Sequence, residues 1–161
     1  MNAIRAMIEG FKAQRRLAFN FMFPIKQYEG MHVYHSNDIL VVVAGLFPDQ
    51  AGTVICQFGA GDIGIVVNDG FLKLPQEIQM AGYAHEQGHY ELHHSLHLKL
   101  YQKMLKTRTY MKQEYEADAY AANKVGKQAV LQLLHHFKQL KGVNQTEMNN
   151  RINAIHKGNY A

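Results

Sequence analysis

A chain of 161 residues and 18.4 kDa has material for one compact core, so a single domain over residues 1–161 is expected. Its composition, 47% hydrophobic and 19% charged, excludes disordered and collagen-like classes, and the lone Cys56 excludes both an intrachain disulfide and a cysteine-rich zinc knuckle. The net charge of +4 comes partly from basic runs around residues 12–16 and 99–112, which read as solvated helical faces because no nucleic-acid motif or stacking aromatics accompany them.

Ile4, Met7, Ile8 and Phe11 recur at helical spacing, predicting an amphipathic helix towards Phe23 that Pro24 ends. The apolar stretch from Leu17 to Ile25 is interrupted by Asn20 and lacks a small-residue cleavage site, so it is not read as a signal peptide. No run approaches the roughly 18 apolar residues of a membrane span, and a cytoplasmic protein is expected. From Met31 to Val67 the texture changes to short β-branched runs at 32–35, 39–44, 53–58 and 63–67, predicting a small mixed sheet. Asn68-Asp69-Gly70 closes the last strand, and Pro75 suits the first turn of a long helix through His85 and His89. A further helix is expected from Thr109 to Val125, where Gly126 interrupts the pattern. Val130, Leu133, Leu134, Phe137 and Leu140 mark the next, and Met148, Ile152 and Ile155 a terminal one. The fold class is α+β, with helices gathered after the sheet.

Ten histidines are the most informative feature of the composition, and two of them stand in His85-Glu86-Gln87-Gly88-His89. Residues four apart on a helix share a face, so both imidazoles can reach one ion. Glu86 lies one step round, where it can act as a general base on a water beside that ion. Ile78, Ala81, Leu92 and Leu96 share the histidine face, which therefore points inward, and Gly88 thins it enough for another backbone to approach. A shuffled chain of this composition contains the HExxH pattern about 0.03 times. The competing reading is a pair of hydrogen-bonded core histidines.

A catalytic zinc takes three protein ligands and keeps one position open. Glu114 lies 25 residues after His89, far enough for a second helix to cross the first. Asp118, its i+4 neighbour, faces the same way and can accept a hydrogen bond from a ligand imidazole. Glu116 is the rival ligand, but it points about 160° away from the Asp118 side.

His85-Glu86-Gln87-Gly88-His89 followed by Glu114-Tyr115-Glu116-Ala117-Asp118 resembles the HExxH and ExxxD pair of the heat-shock membrane peptidases and CAAX prenyl endopeptidases. It is also similar to the ImmA/IrrE-like metallopeptidases, which carry a Glu-x-x-Ala-Asn segment where this chain has Asp118. Asn150-Arg151-Ile152 looks like the Arg-Ile segment closing many peptidases of the first group, without the His-Pro that usually precedes it. The resemblance implies a zincin-like fold and a zinc metallopeptidase with His85, His89 and Glu114 on the metal. By the same resemblance, strand 63–67 is an edge strand walling the substrate cleft.

Gly59-Ala60-Gly61-Asp62-Ile63-Gly64 matches GxGxxG, but a strand-like run follows where a dinucleotide site needs a helix. His93, His94 and His97 continue the histidine-rich segment; His93, about 80° round the helix from His85, is within reach of a cleft border but reads as a rim or surface residue. Tyr115, Tyr120 and His93 are candidate donors to a developing oxyanion. The expected partner is a protein or peptide substrate, with neither nucleic acid nor a membrane span. Two rival functions stand beside the enzyme: a non-hydrolytic zinc module, which would have no use for Glu86, and a regulatory peptidase-like protein that binds or cleaves a transcription factor.

Overall fold

A computed structural model describes residues 23–37, 50–58, 62–94 and 108–158. The expected helix over 4–23 and the expected strand 39–44 lie outside them. The chain divides into two compact units, Met1–Lys73 and Leu74–Ala161.

Among the described residues, the first unit holds a four-stranded mixed sheet of β1 (Lys26–Tyr28), β2 (Met31–His35), β3 (Thr53–Phe58) and β4 (Asp62–Val67), in the order β1-β2-β4-β3. β1 precedes the first strand that the sequence pattern predicts. It is tied to β2 by the two-residue turn Glu29-Gly30, with φ of 45° and 85°; both central residues of such a hairpin turn must be left-handed, which Gly30 adopts without strain. β2 pairs with β4 in parallel and β3 with β4 antiparallel, and Val33, Ile65, Val66 and Val67 are fully buried. β4 is therefore an inner strand bonded on both sides. The expectation that 63–67 forms an edge open to a substrate strand is corrected, because both rows of its backbone groups are already paired. Asp62, Ile63 and Gly64 of the GxGxxG stretch lie in this strand, and a helix does not follow it directly; the stretch's first three residues lie outside the described ones. After β4, the Asn68 side chain caps the one-turn helix α1 (Asp69–Leu72) by accepting from Phe71 N, and it also accepts from Gly52 N.

The second unit is helical: α2 (Gln76–Glu91), α3 (Arg108–Val125), α4 (Lys127–Lys138) and α5 (Gln145–Lys157). α2 packs on α3 and α4, while α5 packs on α3 and α4. Pro75 stands one position before the first turn of α2 as its N-cap. Gly126, with φ of 94°, reverses the chain between α3 and α4. Val130, Leu133 and Leu134 of α4 and Met148, Ile152 and Ile155 of α5 are buried, as their spacing predicts. No helix among the described residues is long and apolar enough to cross a membrane.

The expected inward face of α2 needs one correction. The helix ends at Glu91, so Leu92 is its C-cap and is 44% exposed, while His93, beyond the cap, is exposed as the rim or surface reading expects. Leu96 lies outside the described residues.

Candidate metal centre

Every residue of α2 from Ala81 to His89 is buried, and four polar side chains, those of His85, Glu86, Gln87 and His89, fall within that stretch. Polar groups withdrawn from water cost free energy unless partnered, so the fold must supply partners. α3 supplies most of them because Gly88 lets it come close: a Cβ on Gly88 would stand 3.2 Å from the Ala117 Cα and 3.1 Å from the Tyr120 Cβ. The backbone approach expected at Gly88 is thus made by α3. Beside it, Lys124 Nζ donates to Gln87 Oε1 at 2.8 Å.

This contact brings Glu114 to the two histidines. His85 Nε2 and His89 Nε2 lie 3.1 Å apart, with Glu114 Oε2 3.5 Å from the first and Oε1 3.4 Å from the second. Among the described residues, His85, His89 and Glu114 are the group able to hold a metal ion, and all three are buried. The separations pass a simple test. Bonds of roughly 2.0 to 2.1 Å to a common tetrahedral ion would set its ligand atoms roughly 3.3 Å apart, the range seen here.

Asp118, one turn beyond Glu114, accepts the His85 Nδ1–H at 2.9 Å, which leaves the Nε2 lone pair facing His89 and Glu114. The carboxylate is held in turn by Arg151 of α5, whose Nε and Nη2 each lie 2.7 Å from it, while Nη1 reaches Glu114 Oε2 at 3.0 Å. Burial alone would raise the Asp118 pKa, but the Arg151 guanidinium and His85 hold it below the usual carboxylate range. Burial likewise works against charge on Arg151, and Asp118 and Glu114 more than reverse it. For His85, burial favours the neutral ring, yet hydrogen bonds to Asp118 and Glu114 push its pKa up to about 9. Positive charge is strongly favoured at this spot. Arg151 contacts the buried carboxylates of both Glu114 and Asp118, and Glu86 is buried on the same turn of α2 as His85.

No protein-family model, curated protein or solved structure matches this chain.

The residues expected at the site fall into place unevenly. His85, His89, Glu114 and Asp118 converge, and Glu86 is 3% exposed on the same buried turn. Glu116 turns away from the histidine pair and meets His94 Nε2 at 3.1 Å. Tyr120 covers Gly88, Tyr115 is half-buried and His93 is exposed. Tyr110 was not among the sequence candidates. It is 6% exposed, one turn before Glu114, and its hydroxyl pKa is raised first by burial and then by the charge of Glu114, with Glu86 contributing. Its position four residues before Glu114 and eight before Asp118 was a readable signal. Arg151 entered through resemblance alone; nothing in its local spacing distinguishes it from a surface arginine of an amphipathic helix.

Proposed function

We propose that this chain is a zinc metallopeptidase of the zincin type, with His85, His89 and Glu114 holding the ion and Glu86 as general base. The observation that carries the proposal is the convergence of two imidazole Nε2 atoms and one carboxylate at 3.1 to 3.5 Å, with His85 backed by Asp118. Two nitrogens and one oxygen suit zinc, and three protein ligands leave a fourth position open. Zinc bound there would polarise a scissile carbonyl and lower the pKa of water towards about 7.

The protein's own residues then supply proton transfer and positioning. Glu86 takes a proton from the attacking water as the new carbon–oxygen bond forms, and delivers it to the amine as the carbon–nitrogen bond breaks. Asp118 fixes the His85 tautomer through Nδ1, and Arg151 fixes Asp118. Tyr110, kept protonated by burial and by Glu114, joins Tyr115, Tyr120 and His93 as a candidate donor to negative charge developing on the carbonyl oxygen. Resemblance to the heat-shock membrane peptidases and CAAX prenyl endopeptidases supports the same roles, since Asp118 stands where their ExxxD pattern has Asp.

Glu86→Gln keeps the size of the side chain and loses its basicity. The zinc-loaded variant should keep its metal while proteolysis falls by about 10² to 10⁴-fold. Zinc-loaded wild type and variant, compared in lysate with cleaved proteins identified by mass spectrometry, decide the matter. Identical cleavage profiles would make the ion a structural tie and the enzyme reading wrong.

A further inference from the structure

The two histidines of the centre are not supported alike. His85 leans on a carboxylate, Asp118, whereas His89 Nδ1 lies 2.8 Å from another imidazole nitrogen, Nδ1 of His94. His94 Nε2 is in turn 3.1 Å from Glu116 Oε2, and Lys112 Nζ stands 3.6 Å from the other oxygen of that carboxylate. We infer that His94 is a positioning residue for the metal centre, accepting the His89 Nδ1–H and so keeping His89 Nε2 bare for the ion, with Glu116 fixing the tautomer of His94. This inference rests on the proposal that His85, His89 and Glu114 bind zinc.

The backbone makes this contact possible. At the end of α2, Leu92 N bonds Gly88 O at 3.0 Å, His93 N bonds Tyr90 O at 3.0 Å and His94 N bonds His89 O at 2.9 Å. The last two bonds form a Schellman closure, with His93 as the left-handed residue at φ 54°. Glycine is usual there because a Cβ disfavours that conformation. The fold tolerates the mismatch, and the tight return lays the His94 ring over the last turn, its centroid 5.0 Å from that of His89. The His94 side chain is 6% exposed and that of His89 is fully buried, so no bulk water competes for the bond.

Proton placement follows from the distances. Of two Nδ1 atoms 2.8 Å apart, one donates and the other accepts. His89 faces His85 and Glu114 through Nε2, so an ion held there needs that nitrogen bare and the proton on Nδ1. His94 then accepts on Nδ1, carries its own proton on Nε2 and donates it to Glu116. The bonds run in one direction, from His89 to His94 to Glu116. If the acceptor on His94 is removed, His89 can move its proton to Nε2, where it competes with the metal.

The test uses the full-length chain and zinc alone, with chelator competition as the readout. His94→Leu fills the space without accepting and should weaken zinc binding about 10 to 100-fold. His94→Asn places an acceptor near the Nδ1 position and should recover most of that loss, while His93→Gly should bind as the wild type does. On the zinc-loaded wild type, nitrogen-15 NMR should find His89 protonated on Nδ1 and His94 on Nε2, a readout that needs no variant to fold. The inference is overturned if His94→Leu binds like the wild type, if Leu and Asn lose affinity equally, or if the two tautomers are reversed. Unchanged zinc binding in His85→Ala is a separate result that would instead overturn the metal centre itself.

Discussion

His85 Nδ1 lies 2.9 Å from Asp118 Oδ1, the same carboxylate that Arg151 grips through Nε and Nη2 at 2.7 Å. A histidine of α2 is thereby oriented by a carboxylate of α3 that is itself anchored to α5. Removing any link should be felt at the metal as well as in the fold.

Arg151→Met is expected to be the most destabilising change in this chain of contacts. It leaves the carboxylates of Asp118 and Glu114 buried without their guanidinium, and breaking a buried ion pair from one side costs about 3 to 5 kcal/mol. The loss should be smaller in zinc-loaded protein, because the cation offsets part of the uncompensated charge. Denaturant unfolding with and without zinc measures the difference; equal losses in both forms would show that the two charges do not share one field.

The carboxylates should separate by role. Glu114→Gln removes an anionic ligand and should weaken zinc retention most. Asp118→Asn acts through His85 and should cost about 10 to 100-fold. Glu116→Gln keeps an acceptor for His94 and should change affinity least. A chelator titration across the three variants gives the order, and the largest loss at Glu116 would reverse the ligand assignment.

Proton competition gives zinc binding a pH dependence of fixed sign. In the metal-free protein the His85 pKa is raised above its ordinary 6.5 to about 9, where burial works against charge but Asp118 and Glu114 prevail. Its charged form therefore contributes stability that is fully present below about pH 6.5 and lost as pH rises through about 9. Zinc must displace that proton, so apparent affinity should rise about tenfold per pH unit towards pH 9 and flatten beyond it. Zinc titrations buffered from pH 6 to 10 check the slope. A flat response over that range would show that zinc displaces no proton held at His85.

Gly88→Ala sets helix propensity against packing. Alanine favours a helix interior by about 1 kcal/mol, but its Cβ would meet the Ala117 Cα at 3.2 Å, and a backbone atom of a packed helix gives way poorly. A net destabilisation of about 1 to 2 kcal/mol is expected. Because the strain pushes α3 off α2, zinc affinity should fall with it. Thermal unfolding and zinc titration of the same preparation test both effects; a stabilised variant with normal zinc binding would mean that the helices have room to spare.

The parts of the site legible in the sequence are those governed by helical periodicity. His85, His89, Glu114 and Asp118 are each one turn apart within their helices, so their facing follows from spacing once the helices are recognised. His94 was not legible. Its position depends on a left-handed residue at His93, where no glycine or proline marks the turn. The sheet shows the same division. The β-branched runs reveal strands, but the inner place of β4 depends on a parallel pairing with β2 across intervening chain, which no local pattern encodes. β1, three residues long with one buried side chain, offers too little pattern to read.

The centre also fastens distant parts of the chain. With Cys56 as the single cysteine among these 161 residues, no disulfide within them can restrict the unfolded state. An ion shared by residues 85, 89 and 114 would close the loop between α2 and α3, and Arg151 carries the closure on to α5. Withdrawing the metal should then act as reduction does on a cross-linked protein: the amides of α3 should exchange with solvent sooner, while α4 and α5, which pack on each other and bury Leu133, Leu134, Ile152 and Ile155, should keep their protection longer.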